Sequence, residues 1–333
     1  MQQALPDTAL EQDYAALDPD TILAAVEARG FSADGRMIAL NSYENRVYRV
    51  ELEEATPVVI KFYRPGRWSD DAILEEHAFS AELAADEVPV VAPLSFDGET
   101  LHLHDGYRYA VFPLQGGRWP DLESRDDLAW MGRFMARIHM HGRKHPFRHR
   151  QAINIERMAE DPRDWLLQHD LIPSHLVDAY TSLTQDLIQL IRQKFADAGD
   201  VDQLRLHGDC HRGNVLWTPD GPHFVDLDDC CNGPAVQDLW MLLSGEREEM
   251  TGQLCDILEG YEDFGEFDAR ELHLIEALRS LRMMHYACWL AKRWDDPAFP
   301  QAFPWFNTVQ YWEQHVLELR EQLARMQEPV LVI

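Results

Sequence analysis

The sequence predicts an α+β protein of two lobes, a small β-rich N-terminal lobe and a larger, mostly helical C-terminal one. Three observations predict it. Up to residue 113, apolar residues recur mostly with the period of two that strands impose, broken by one long helical stretch. After Pro113 they recur at three and four, as in Leu128, Met131, Met135 and Ile138. The length, 333 residues, suits two units at roughly 150 residues each. We expect residues 1–113 to form the first lobe and 114–333 the second, with a ligand cleft between them.

The elements follow in order. Asp18-Pro19, then Ile22, Leu23 and Val26, then Gly30, read as a capped helix. In Val47–Leu52, Tyr48, Val50 and Leu52 share one face, as in a strand, and Val58–Tyr63 is a second strand. The polar segment 53–57 between them makes an antiparallel pair. A helix runs from Ser69, which caps it, to Ala85, with Phe79 and Leu83 inward. Strands are expected at Val88–Phe96, Leu101–His104 and Tyr107–Phe112. Helices are expected around 173–196, 236–245, 250–262, 270–293 and 309–327, with a β-like insert at 204–227.

Composition excludes several classes. Hydrophobic residues at 46% and charged residues at 26% are those of a globular protein, not of a low-complexity polymer. A net charge of −28 repels nucleic acid and anionic lipid, so neither is an expected partner. The first basic residue is Arg29, so a secretory leader is not expected. The longest uncharged run, Pro297–Trp312, carries Pro300 and Pro304 and falls short of the ~20 apolar residues of a membrane span. Five cysteines without framework spacing suit a reducing cytoplasm.

The chemistry lies in Leu204–Trp217 and the segment after it. Val215-Leu216-Trp217 and Pro222–Val225 flank the turn Thr218-Pro219-Asp220-Gly221, so they form a hairpin. The residues just outside the two strands, Asn214 and Asp226, meet at its open end. An amide oxygen beside a carboxylate makes a hard oxygen site for Mg²⁺ shared with phosphate. Asp209, five residues before Asn214, sits on the entering loop. This is a phosphoryl-transfer layout: one Asp receives or orients the substrate hydroxyl, and Asn214 and Asp226 hold metal. Any one of these residues alone reads as a turn residue; the ordered set does not.

Such a site needs a cation, and of four lysines only Lys61 precedes the lobe boundary. It sits in an apolar strand, where an ammonium must be paired or bound to an anion. Glu76 is the expected partner, since Phe79 and Leu83 lie three and seven residues on; Glu75 remains an alternative. The turn Asn41–Arg46 can cap phosphates through Ser42 and backbone N–H groups, or be an ordinary polar loop. No Walker A or G-x-G-x-x-G sequence is present.

His207-Gly208-Asp209-Cys210-His211-Arg212-Gly213-Asn214 resembles the HGDLHPGN signature of the aminoglycoside phosphotransferase and choline kinase branch of the protein-kinase-like fold. Arg133–His139 resembles the helix preceding that branch's catalytic core. Asn41–Tyr48, Lys61–Pro65, Asp226–Asp229 and Asn232–Leu243 resemble a bacterial stress-response kinase family within it, over residues 17–329. The resemblance implies a cytoplasmic Ser/Thr protein kinase using ATP and Mg²⁺. By position, Asp209 is its proton acceptor and Asn214 and Asp226 hold Mg²⁺. Ser42 lies in the ATP-phosphate loop, Lys61 meets the α/β-phosphates, and Ala110-Val111-Phe112 is the adenine hinge. Asp-Leu-Asp replaces Asp-Phe-Gly, which makes Asp228 a second carboxylate of interest.

The acceptor stays open between a protein hydroxyl and a small alcohol or amine, with a non-catalytic scaffold as a third reading. A monomer is expected. The basic segment 143–150 reads as a solvated patch, and Cys210 as an inert apolar residue.

Overall fold

Two adjacent antiparallel strands dominate the start of the chain because Tyr48, Val50, Ile60 and Phe62 need an apolar face and the polar turn between them permits reversal. The computed structural model describes residues 14–333. In order these form α1 (Pro19–Glu27), β1 (Ala33–Ala39), β2 (Arg46–Leu52), β3 (Val58–Phe62), α2 (Asp70–Ala85), β4 (His102–His104) and β5 (Tyr107–Pro113). Then come α3 (Arg125–Gly142), α4 (Asp161–Gln168), α5 (Val177–Ala198), β6 (Leu204–Leu206), β7 (Val215–Thr218), β8 (Gly221–Phe224) and β9 (Cys231–Gly233). The rest is α6 (Val236–Trp240), α7 (Arg247–Tyr261), α8 (Ile275–Lys292), α9 (Ala298–Ala302) and α10 (Val309–Met326). The α+β class and the division into a sheet region and a mostly helical region stand as expected.

The described chain divides into two compact units. The first runs to Asp121 and also takes in Phe147–Arg150 and His211–Cys230. Its sheet has the order β1-β2-β3-β5-β4, so β3 is central. The pleat turns Ile60 and Phe62, both fully buried, toward Ile22 and Val26 of α1. It turns Lys61 to the opposite face, where α2 lies. Ser69 caps α2 by accepting from the Ala72 N–H at 3.2 Å. Phe79 and Leu83 are fully buried on it.

The β7/β8 hairpin groups with this sheet unit. Val90 bridges to Phe224, and Arg118 and Trp217 exchange both backbone hydrogen bonds, at 2.6 and 3.0 Å. These pairings explain a correction. Residues 88–96, expected as a sheet strand, make only single bridges, Val90 to Phe224 and Phe96 to Glu99. Pro89 and Pro93 cannot donate to a ladder, and Asp97 and Gly98 turn with φ of 53° and 86°.

The second unit holds Leu122–Pro146, Gln151–Cys210 and Cys231 onward. α3 packs against α7 with Gly132 facing the Ile257 backbone and Gly260 facing the Ala129 backbone, where any side chain would collide. α5, α8 and α10 pack on one another, α6 lies against α3, α7 and α8, and β6 pairs with β9. Two expectations are corrected here. The helix around 270–293 begins as a 3-10 turn, Ala269–Leu274, and α6 stops at Trp240 instead of reaching 245. α4 lay outside the expectations. No described helix is long and apolar enough to cross a membrane.

Candidate active site

Lys61 is one of the most constrained charges in the first unit. β2 and β5 flank its strand, with Val47 and Ala110 as cross-strand neighbours, and its side chain is 7% exposed. Three carboxylates surround the Nζ: Glu76 Oε1 at 3.3 Å, Asp226 Oδ1 at 3.3 Å and Asp228 Oδ1 at 3.1 Å. Burial works to discharge the ammonium, but Asp228 and Glu76 outweigh it and hold the pKa well above that of a free lysine. Burial also raises the Glu76 carboxyl, against the pull of Lys61.

Glu76, not Glu75, therefore faces Lys61. Glu75 points elsewhere and accepts from the backbone N–H groups of Arg148, His149 and Arg150 at 2.8, 2.8 and 3.0 Å.

Three acids on one lysine leave a surplus of negative charge, and two arginines offset it. Arg67 forms ion pairs with Asp228 and Asp229 and reaches Glu44 Oε1 at 3.7 Å. Arg150 is buried. Its guanidinium stacks on Trp68 at 3.9 Å and donates to the carbonyls of Cys230, at 3.0 Å, and Asp228. Burial pushes the Asp228 carboxyl up, but Arg67, then Lys61 and Arg150, overcome it and hold the group well below the usual carboxylate range. The expected solvated patch holds for Arg143, Lys144 and Arg148, which are exposed, but not for Arg150, an internal counter-charge.

At the hairpin's open end the Val225 N–H donates to the Asn214 carbonyl at 3.0 Å, so Asn214 adjoins Asp226. Asp226 has the left-handed φ of 59°, which Asp tolerates better than most residues, and its side chain is 49% exposed. An exposed carboxylate and an amide oxygen fit Mg²⁺, which takes few protein ligands and keeps waters and phosphate oxygens. Asp228, sealed among cations, acts instead by holding Lys61 and Arg67.

Ser42 lies on the β1–β2 loop. That loop is pinned by the Arg64 N–H donating to Asn45 Oδ1 at 3.1 Å and by Arg64 Nε donating to the Glu44 carbonyl at 2.9 Å. Phe112, half-buried in β5, pairs with Val59.

Asp209 belongs to the second unit. Its loop hangs on Asp238, a fully buried residue of α6. Asp238 accepts from the His207 N–H at 2.9 Å and the Gly208 N–H at 2.8 Å. His139 Nε2 lies 3.3 Å from Asp238 Oδ2, and Gln237 donates to the Gly208 carbonyl at 3.1 Å. Gly208 takes φ of 83°, which its lack of a Cβ permits. Asp209 Oδ1 lies 2.7 Å from Arg282 of α8. Burial raises the Cys210 thiol well above its ordinary value, which keeps it protonated and unreactive.

The structure thus brings together Lys61, Glu76, Asp226 and, beside Asp226, Asn214. Ser42 and Phe112 lie on a loop and a strand of the same unit, and Asp209 in the other. Arg67, Arg150, Asp238 and Arg282 escaped the sequence reading. Their partners lie between 23 and 162 residues away, a separation no local pattern records.

A model of the phosphotransferase enzyme family (APH) matches residues 37–275. Stress response kinase A of Escherichia coli (strain K12) is 48% identical over 318 residues, 96% of each chain. A Salmonella typhimurium protein named "Serine/threonine protein kinase RdoA" is 46% identical, again over 96% of both. Among solved structures, an amicoumacin kinase in complex with AMP-PNP, Ca²⁺ and Ami superposes with a TM-score of 0.70 at 18% identity. It covers 92% of this chain and 94% of its own. A microcompartment-associated aminopropanol kinase gives 0.68 at 20% identity, with 91% and 98% covered.

Proposed function

The chain belongs to the phosphotransferase enzyme family, and from that premise we propose that it is a Mg²⁺-dependent Ser/Thr protein kinase of a bacterial stress response. It is an ATP-dependent phosphotransferase. The finer reading, a protein hydroxyl as acceptor, draws on the relative named for that activity. The observation that carries the site assignment is the ammonium of Lys61 sealed among Glu76, Asp226 and Asp228.

In this reading Lys61 aligns the α/β-phosphates of ATP and Glu76 keeps it in place. Asn214 and Asp226 hold Mg²⁺, which when bound offsets charge on the β- and γ-phosphates. The Ser42 loop caps phosphate and the backbone around Phe112 reads adenine. Asp209 orients the acceptor hydroxyl and takes its proton, while Asp238 fixes the loop that carries it. Residues 1–113 supply the phosphate loop and Lys61, and 114–333 supply the catalytic loop and the metal-binding hairpin. A cytoplasmic monomer completes the proposal.

The test is radiolabelled ATP with purified protein, a cell lysate and a metabolite pool. Label should enter proteins, and Asp209→Asn should lower its rate of entry roughly 10²–10⁴-fold. Label confined to small molecules would favour an alcohol or amine acceptor. Absence of any ATP turnover would leave a scaffold.

A further inference from the structure

Arg282 meets the carboxylate assigned as the base. Its guanidinium lies 2.7 Å from Asp209 Oδ1, yet its side chain is 41% exposed. Guanidinium carries five N–H donors in a planar fork, and an ion pair to one oxygen of Asp209 does not use them all. The chain carries 58 acids against 30 bases, so an exposed cation beside the base runs against its general charge.

Arg282 also begins a stripe. On α8 the positions four and seven residues on are Tyr286 and Trp289, which share its face. Their rings stack with centroids 5.5 Å apart, and Tyr286 is 38% exposed. Trp289 continues edge-on to Phe303, 6.1 Å away, and Phe303 to the 46%-exposed Trp305, 5.9 Å away. The stripe therefore reads cation, then aromatic ledge. At about 1.5 Å of rise per residue, the ledge starts roughly 6 Å and ends roughly 10 Å from Arg282 along the axis.

We propose that Arg282 is a specificity-determining residue that selects an acidic peptide. Resting on the Ser/Thr kinase reading, it binds the carboxylate of an Asp or Glu adjacent to the phosphoacceptor hydroxyl. The Tyr286–Trp289 ledge takes an apolar or aromatic side chain two to three residues further, the separation that about 3.3 Å per extended residue gives. The physical argument is charge complementarity. A guanidinium fork pairs bidentately with a carboxylate and repels a cation. A cationic acceptor would carry its charge against Arg282 as its hydroxyl approached Asp209. An acidic side chain instead draws that hydroxyl toward the base.

The experiment measures kcat/KM for Ser peptides flanked by Glu, Gln or Lys, each with and without a Phe three residues away. Wild type, Arg282→Gln, Arg282→Lys and Arg282→Glu are compared, with thermal unfolding to verify that each folds. Wild type should favour the Glu-flanked peptide over the Gln-flanked one by about 10- to 100-fold, the worth of one charge-assisted hydrogen bond. Arg282→Gln should bring that ratio near one, Arg282→Lys should keep part of it, and Arg282→Glu should turn the preference toward Lys flanks. Tyr286→Ala should remove the gain from Phe alone.

An unchanged Glu/Gln ratio in Arg282→Gln would overturn the proposal. So would a uniform fall in kcat on all peptides with the ratio intact, since Arg282 would then serve the base or the phosphoryl group. Failure of the underlying kinase reading looks different: wild type labels no peptide and no lysate protein, and both proposals fall together.

Discussion

Lys61 and Asp238 are each sealed inside their own unit, and they are satisfied in different ways. Lys61 is held by other charges: Glu76, Asp226 and Asp228, with Arg67 and Arg150 drawn in to offset the surplus. Asp238 is held by backbone N–H groups at 2.8 and 2.9 Å, beside the His139 ring. A cluster of mutually offset charges responds to any added or removed charge, as a triphosphate and metal would bring. A carboxylate clamped by two backbone donors has one geometry. The comparison teaches that the Lys61 cluster is electrostatically adjustable, whereas the loop that presents Asp209 is fixed.

Removing the proposed base separates the two regions most sharply. Asp209→Asn should lower turnover roughly 10²–10⁴-fold while nucleotide affinity, which the proposal assigns to the Lys61 cluster, holds. Turnover and nucleotide titration check this together, and near-normal turnover would end the assignment.

Lys61→Met should come next, costing about 3–5 kcal/mol because it leaves buried acids without their cation. Glu76, already raised by burial, loses its main opposing charge. Its folded pKa then stands further above the unfolded one, so stability is kept at low pH and lost as pH rises through the folded value. Urea midpoints should show a larger loss at pH 8 than at pH 5; equal losses would break the picture of an ion cluster.

Asp238→Asn keeps the shape but sets an amide N–H₂ against a backbone donor. It should cost about 2–3 kcal/mol, read from urea midpoints, and an unchanged midpoint would erase the contrast.

The smallest effect concerns Glu271, which accepts from the Val236 N–H at 2.7 Å and so anchors the start of α6. Burial pushes its carboxyl up from 4.5 to about 7. The folded value exceeds the unfolded one, so its contribution is complete at low pH and declines as pH rises through about 7. Between pH 6 and 8 the second unit should lose about 1 kcal/mol on this account, and Glu271→Gln should flatten that slope. An unchanged slope in the variant would remove Glu271 as its source.

The legibility of these regions also differs. The β7/β8 hairpin was readable because two short apolar runs bracket a Pro-Asp-Gly turn, which places Asn214 and Asp226 at one end. Lys61 stood out as a lone cation in an apolar strand, and Glu76 followed from its spacing to Phe79 and Leu83. Residues 88–96 misled because their apolar run outweighed Pro89 and Pro93. Arg150 misled because neighbouring basic residues made it look like part of a surface.

What the sequence determined by itself is whatever depends on neighbours along the chain: the strand of Lys61, the face of Glu76, and the hairpin and signature that carry Asp209, Asn214 and Asp226. Only the tertiary structure decided which charges meet. Arg67 with Asp228, Arg150 with the Asp228 carbonyl, Asp238 with Gly208 and Arg282 with Asp209 are contacts across long stretches of chain. The reason is physical. Periodicity follows from backbone geometry repeated every few residues, whereas an ion pair depends on distance in space, which packing alone sets.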